Sequence, residues 1–167
     1  MIDMSNDKEQ IAVNRIKRIF PAYFEQYNMP PQEAREESLV VYRACKTNRL
    51  ERESFLPSFE EQGFQFVTED EQLDPSTFSL SVYEKPRDVK RFAITNSSMR
   101  PPYTIAKGRT NPIYGKILRT REYKPERKKS SHVDWWLYED AEPYHDFELI
   151  EDFVKYMEER KRSEEHA

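Results

Sequence analysis

Apolar side chains recur at spacings of three and four from Ile16 through Ile19, Phe20, Tyr23 and Phe24 to Tyr27. That period predicts a helix over residues 7–28 with one apolar stripe, suited to capping a sheet. Pro21 falls inside the pattern, so the helix is expected to kink or divide there. Met29-Pro30-Pro31 ends it. Beyond the polar residues 32–38 the period changes. Leu39–Cys45 is a short β-rich run, Gly63–Val67 alternates, and Thr77–Tyr83 alternates with two serines on one face; each predicts a strand. Glu84–Ile94 predicts a short helix, with Pro86 in the first turn, where proline is tolerated, and Val89, Phe92 and Ala93 facing inward. Tyr103–Gly108, Val133–Tyr138 and Phe147–Ile150 predict further strands. Residues 109–131, broken by Asn111-Pro112 and Gly115, predict a long excursion. Residues 151–164 predict a charged helix with Phe153, Val154 and Met157 as its apolar contacts.

This order, a helix first and then short strands with one embedded helix, fits α+β better than alternating βαβ units. The expectation is one domain over 1–167: a helical cap at 7–28, a β-rich core at 39–150 forming a mixed or split antiparallel sheet, and a C-terminal helix at 151–164. Hydrophobic residues make up only 37% of the chain against 35% charged. Ten Tyr, ten Phe and two Trp nevertheless argue for a folded core in which aromatics do much of the filling.

Net charge is −4 and the pI is near 5.6, so nothing global calls for nucleic acid or an anionic membrane as partner. A single cysteine, Cys45, leaves no internal disulfide and no cysteine-based zinc site. The acidic start MIDMSNDKEQ is unlike a signal peptide, and the expectation is a soluble cytoplasmic protein. Three glycines are too few for the phosphate-cradling loops of dinucleotide and P-loop motifs. From Arg119 to Lys129 six basic residues meet two acidic ones, which predicts an exposed, mobile loop.

Three segments carry candidate chemistry. LVVYRAC places Arg43 late in an early strand, FSLSVYEKPRDVKRFA places Ser79 and Ser81 before a helix, and HVDWWLYEDAEPYHDFELI sets His132-x-Asp134 before two tryptophans. Their order resembles the Arg–Ser–Glu pattern of the ADP-ribosyltransferase superfamily. The resemblance spans roughly residues 39–150 on few positions. It implies an ADP-ribosyltransferase-like fold and NAD as co-substrate, with transfer of ADP-ribose or cleavage of NAD as the reaction. Arg43 would contact a phosphate or ribose of NAD, Ser79 and Ser81 would order the nicotinamide side, and Asp134 would stand in place of the catalytic glutamate. His132 would select the acceptor. A strand's period of two puts His132, Asp134 and Trp136 on one face, so Trp136 would wall the pocket while Trp135 packs inward. The chain departs from the pattern in Asp for Glu at 134, Ser-Leu-Ser for Ser-Thr-Ser at 79–81, and Ala44 beside the arginine.

The same residues also admit plain structural roles. Arg43 could pair with a carboxylate, the two serines could be the wet face of an edge strand, and His132 and Asp134 could share a surface hydrogen bond. His132, Asp134 and His145 could ligate a metal, and Cys45 could pair with His132 as a nucleophile. The functional alternatives are a non-catalytic module that docks on a protein partner and a nucleic-acid binder acting through the basic stretch 119–129.

Overall fold

The computed structural model describes residues 18–96 and 103–165. Six strands form one sheet: β1 (Val40–Cys45), β2 (Leu80–Tyr83), β3 (Thr104–Arg109), β4 (Gly115–Arg119), β5 (His132–Leu137) and β6 (Phe147–Ile150). Their order is β4-β5-β2-β1-β3-β6, antiparallel at every pairing and open at both edges. The described helices are α1 (Tyr23–Gln26), α2 (Ser58–Glu61), α3 (Pro86–Thr95) and α4 (Phe153–Glu165). The class is α+β, and the sheet is antiparallel throughout rather than mixed.

Strand alternation sorts the core into two faces. Val41, Cys45, Leu80, Val82, Ala106, Ile117, Val133, Trp135 and Leu137 share one side, closed by Phe55, Tyr114 and Phe147 from turns and the edge strand. The other side carries two clusters. Trp136 and Leu118 pack with Phe24, Phe59 and Phe78, and farther along Tyr42, Ala44, Tyr83 and Ile105 pack with Val89. All four helices contribute to this second side: Phe24 from α1, Phe59 from α2, Val89 from α3, and Phe153 with Tyr156 from α4. β5 is buried along its whole length because it lies inside the sheet with a packed cluster on each side.

The ladder between β1 and β2 is a single pair, Tyr42↔Tyr83, whereas β2 and β5 pair over four positions. Arg43 fills the opening between β1 and β2. Its Nη1 donates to the Ser81 carbonyl over 2.9 Å and its Nε to the Ser54 carbonyl over 3.2 Å. A guanidinium thereby replaces ladder hydrogen bonds that the splayed strands do not form.

Several sequence expectations need correction. The helix expected at 7–28 is reduced in its described part to the single turn of α1; residues 7–17 lie outside the described residues. The strand expected at 63–67 is a bend. Gly63 and Phe64 both take positive φ, 72° and 61°, which turns the chain away from any strand edge. Val67 is 76% exposed, while Phe66 packs its ring on Phe59 at 4.9 Å. The Phe-x-Phe alternation therefore reports an aromatic cluster. The excursion expected at 109–131 contains β4, an edge strand paired with β5. Gly115 permits that pairing, since a Cβ there would lie 2.1 Å from the Trp136 carbonyl oxygen. Thr77 and Phe78 belong to a 3-10 turn, Pro75–Phe78, and the strand starts only at Leu80. In α4, Phe153 and Tyr156 pack against the sheet while Val154 stays exposed.

Candidate functional site

On the helix-covered face, β5 presents Trp136, Asp134 and His132 in succession, so the two polar residues sit between the two aromatic clusters. Asp134 is 0% exposed. Its Oδ1 accepts from Ser79 Oγ at 2.6 Å, and its Oδ2 accepts from Thr120 Oγ1 at 2.8 Å and Tyr123 Oη at 2.5 Å. With the Thr120 hydrogen directed at the carboxylate, its oxygen accepts from His132 Nδ1 at 2.5 Å, which sets the Nδ1–H tautomer. Tyr123 in turn meets Ser76 Oγ at 3.0 Å. Lys124 Nζ donates to Ser76 Oγ at 2.9 Å and pairs with Asp74 at 2.7 Å. A chain of donors thus runs from surface Lys124 inward to one carboxylate.

Burial alone would raise the Asp134 pKa. His132 and the Ser79, Tyr123 and Thr120 hydroxyls outweigh it and hold the carboxylate below its usual range. Burial pushes His132 down to about 4, so the ring is neutral at neutral pH. A buried carboxylate that accepts from three hydroxyls ties together the segments that carry them.

The structure joins some of the sequence-predicted residues and separates others. Ser79 and Asp134 are bonded, with His132 beside them. Ser81 lies across the ladder from Asp134 on the same face. Arg43 points to the opposite face, with Val41 and Cys45; it reaches the Ser81 backbone carbonyl from there and forms no hydrogen bond with the side chains of Ser79, Ser81, His132 or Asp134 among the described residues. Trp136 does not wall a pocket: it is wholly buried among Phe24, Phe59 and Phe78, and its Nε1 donates to the Pro75 carbonyl at 3.0 Å. His145 is on the surface with Glu142 at 2.8 Å, and no group of three metal-ligating side chains occurs among the described residues. Cys45 lies on the far face from His132, its thiol pushed up to about 11 by burial.

Thr120 and Tyr123, from the stretch whose charge pattern predicts an exposed loop, complete the network. The basic stretch is consequently tied down rather than free. It forms two 3-10 turns, Thr120–Glu122 and Pro125–Arg127. Thr120, Tyr123 and Lys124 fasten it to the sheet, and Arg119 grips Glu84 with two hydrogen bonds of 3.0 and 3.1 Å. At its far end Ser131 staples it to the start of α3. The Ser131 carbonyl accepts from Glu84 N, its Oγ accepts from Lys85 N, and its own N–H donates to Asp88.

What this fastening positions is charge. Three hollows adjoin α3. One of about 700 Å³ is lined by Lys85, Arg87, Arg121, Lys128 and Lys129 with Glu84. It shares Lys85 and Arg87 with a hollow of about 640 Å³ between α3 and α4, where Lys90, Arg160 and Lys161 join them. It shares Lys129 and Ser130 with a third, of about 360 Å³, which adds Arg91, Arg127 and Phe92. Together they carry ten basic and five acidic side chains, Glu84, Asp88, Glu126, Glu158 and Glu164. In a chain of net charge −4 the remainder therefore has nine excess negatives. Lys85, Arg87, Lys90, Lys128 and Lys129 form no ion pair among the described residues.

No protein-family model, curated protein or solved structure matches this chain. No helix among the described residues is long and apolar enough to cross a membrane.

Proposed function

We propose that this protein is a non-catalytic binding module whose working surface is the basic face around α3, and that its ligand is a polyanion. The supporting observation is the set of unpaired cations lining three hollows beside α3 in an otherwise acidic molecule. Segregated charge of this kind raises the local concentration of anions and steers them to one face even when the net charge is negative. The Asp134 network belongs to the same design, because it holds the basic turns against the sheet and so fixes where their cations stand.

An NAD reaction would need Asp134 to reach a ribose hydroxyl. In this chain Ser79, Thr120 and Tyr123 occupy its oxygens, and Arg43 stands across the sheet. The transferase resemblance therefore contributes less to the functional reading than the charged surface does.

The test is fluorescence anisotropy with labelled inorganic polyphosphate over a series of salt concentrations. Binding should weaken steeply as salt rises, because each neutralised phosphate releases a counterion. Lys128→Glu with Lys129→Glu should abolish it, while Arg109→Glu, on an exposed site outside the hollows, should have little effect. Equal loss in both variants, or no binding at low salt, would remove the proposal.

A further inference from the structure

The third hollow differs from the other two in having an aromatic wall. Phe92, on the inner side of α3, is only half-buried. It lines the hollow together with Tyr83, Thr95 and Asn96, with the Arg91 and Arg127 guanidiniums nearby. Tyr83 and Tyr103 hold the Phe92 ring in place at centroid distances of 6.0 and 5.5 Å. Asn96 donates one amide hydrogen to the Phe92 carbonyl at 2.8 Å, and its Oδ1 accepts no hydrogen bond among the described residues. A volume of about 360 Å³ lies in the range of small-ligand pockets. From there the lining passes through Lys129 and Ser130 into the strongly basic hollow at the start of α3, and then through Lys85 and Arg87 toward α4. With ten residues α3 is about 15 Å long, so the aromatic wall and these cations all lie within reach of one short helix.

We infer that this surface binds single-stranded nucleic acid, with one base against Phe92 and the sugar-phosphate chain running past Lys129, Lys128, Lys85 and Arg87. The inference rests on the polyanion reading and adds the ligand class. A basic groove joined to an aromatic face is the combination that single strands use. Phosphates supply sequence-independent attraction, and an unstacked base supplies a flat π-surface. A duplex offers no free base to Phe92, and its convex rod reaches recessed cations poorly. A lipid surface would be met by exposed cations flanking exposed apolar residues rather than by cations lining hollows. Thr95 and Asn96 also line the hollow, and their polar groups can bond the edge of a base.

The experiment compares four labelled probes by anisotropy at one low salt concentration: a short oligouridylate, an abasic strand of equal length and charge, a duplex of equal length, and inorganic polyphosphate. Vesicles containing phosphatidylserine are tested by co-sedimentation. The oligouridylate should bind about tenfold tighter than the abasic strand, the gain expected from one stacked base. Phe92→Leu keeps an apolar side chain against Tyr83 and Tyr103. It should erase that difference while leaving polyphosphate binding and its salt dependence intact; Phe92→Ala serves as the more severe variant. Equal affinity for oligouridylate and abasic strand, preference for the duplex or for vesicles, or an unchanged preference in Phe92→Leu would each overturn the inference. In those cases retained polyphosphate binding would leave the polyanion reading standing. Failure of every probe would end both.

Discussion

Ser79 Oγ lies 2.6 Å from Asp134 Oδ1, joining the residue just before β2 to the middle of β5 inside a site closed to water. That carboxylate accepts from three hydroxyl donors, so its loss takes the charged acceptor from all of them at once. Asp134→Ala should cost about 3 kcal/mol, as for other broken buried charge networks. The check is the urea midpoint at unchanged slope. Nicotinamide release from NAD should be absent in both proteins. Asp134-dependent release with unchanged stability would make the carboxylate catalytic instead.

His132 gives the fold a definite response to acid. Its folded pKa, about 4, is below the ordinary value of 6.5, so the unfolded chain takes up the proton first as pH falls. Stability is therefore complete above pH 6.5 and drops between 6.5 and 4, by on the order of 3 kcal/mol for this group. Asp134, also depressed, adds loss in the same direction at still lower pH. His132→Gln should flatten the profile in the upper window, read from thermal melts across pH. An equally steep profile in the variant would assign the acid response elsewhere.

The adjacent tryptophans should respond differently to the same change. Trp136 Nε1 is bonded to the Pro75 carbonyl, whereas Trp135 Nε1 is buried without a partner among the described residues. Both lose packing on becoming Phe, but only Trp136→Phe breaks a hydrogen bond. Trp136→Phe should thus be the more destabilising by about 1 kcal/mol in chemical denaturation. The reverse order would contradict these environments.

Arg43 serves two carbonyls from one planar group. Lys has neither the Nε donor nor the planar fork that holds both contacts, so Arg43→Lys should destabilise by roughly 1–2 kcal/mol. Hydrogen exchange should quicken at Ala44 and Ser81, on either side of the single-pair ladder. Unchanged protection there would mean the two strands hold together without the guanidinium.

Much of the frame was legible in the residue pattern. Val40–Cys45, Thr104–Arg109, His132–Leu137, Phe147–Ile150 and helix α3 fall where the periods of two and near four place them, because alternation and amphipathicity are local properties. The same rule misread Phe64 and Phe66, whose spacing reflects rings gathered around Phe59. It also missed β4, whose apolar Ile117 and Leu118 are hidden between a glycine and a run of charges.

The candidate site was legible only in pieces. His132 and Asp134 sharing a face, with Trp135 on the other, followed from strand geometry. That Ser79 would reach Asp134 while Arg43 would not depended on which strands became neighbours. The net charge of −4 concealed the basic face, because a sum over the chain carries no information about where charges collect.

By itself, the sequence determined the class of the fold, most of its strands and the aromatic character of its core, since these depend on residues close along the chain. Only the tertiary structure decided that a late carboxylate would be sealed by Thr120 and Tyr123, and that cations from α3, α4 and the 121–129 turns would line hollows beside one helix. Those outcomes depend on strand order and loop closure, in which residues far apart in sequence compete for the same neighbours, and no local period encodes the result.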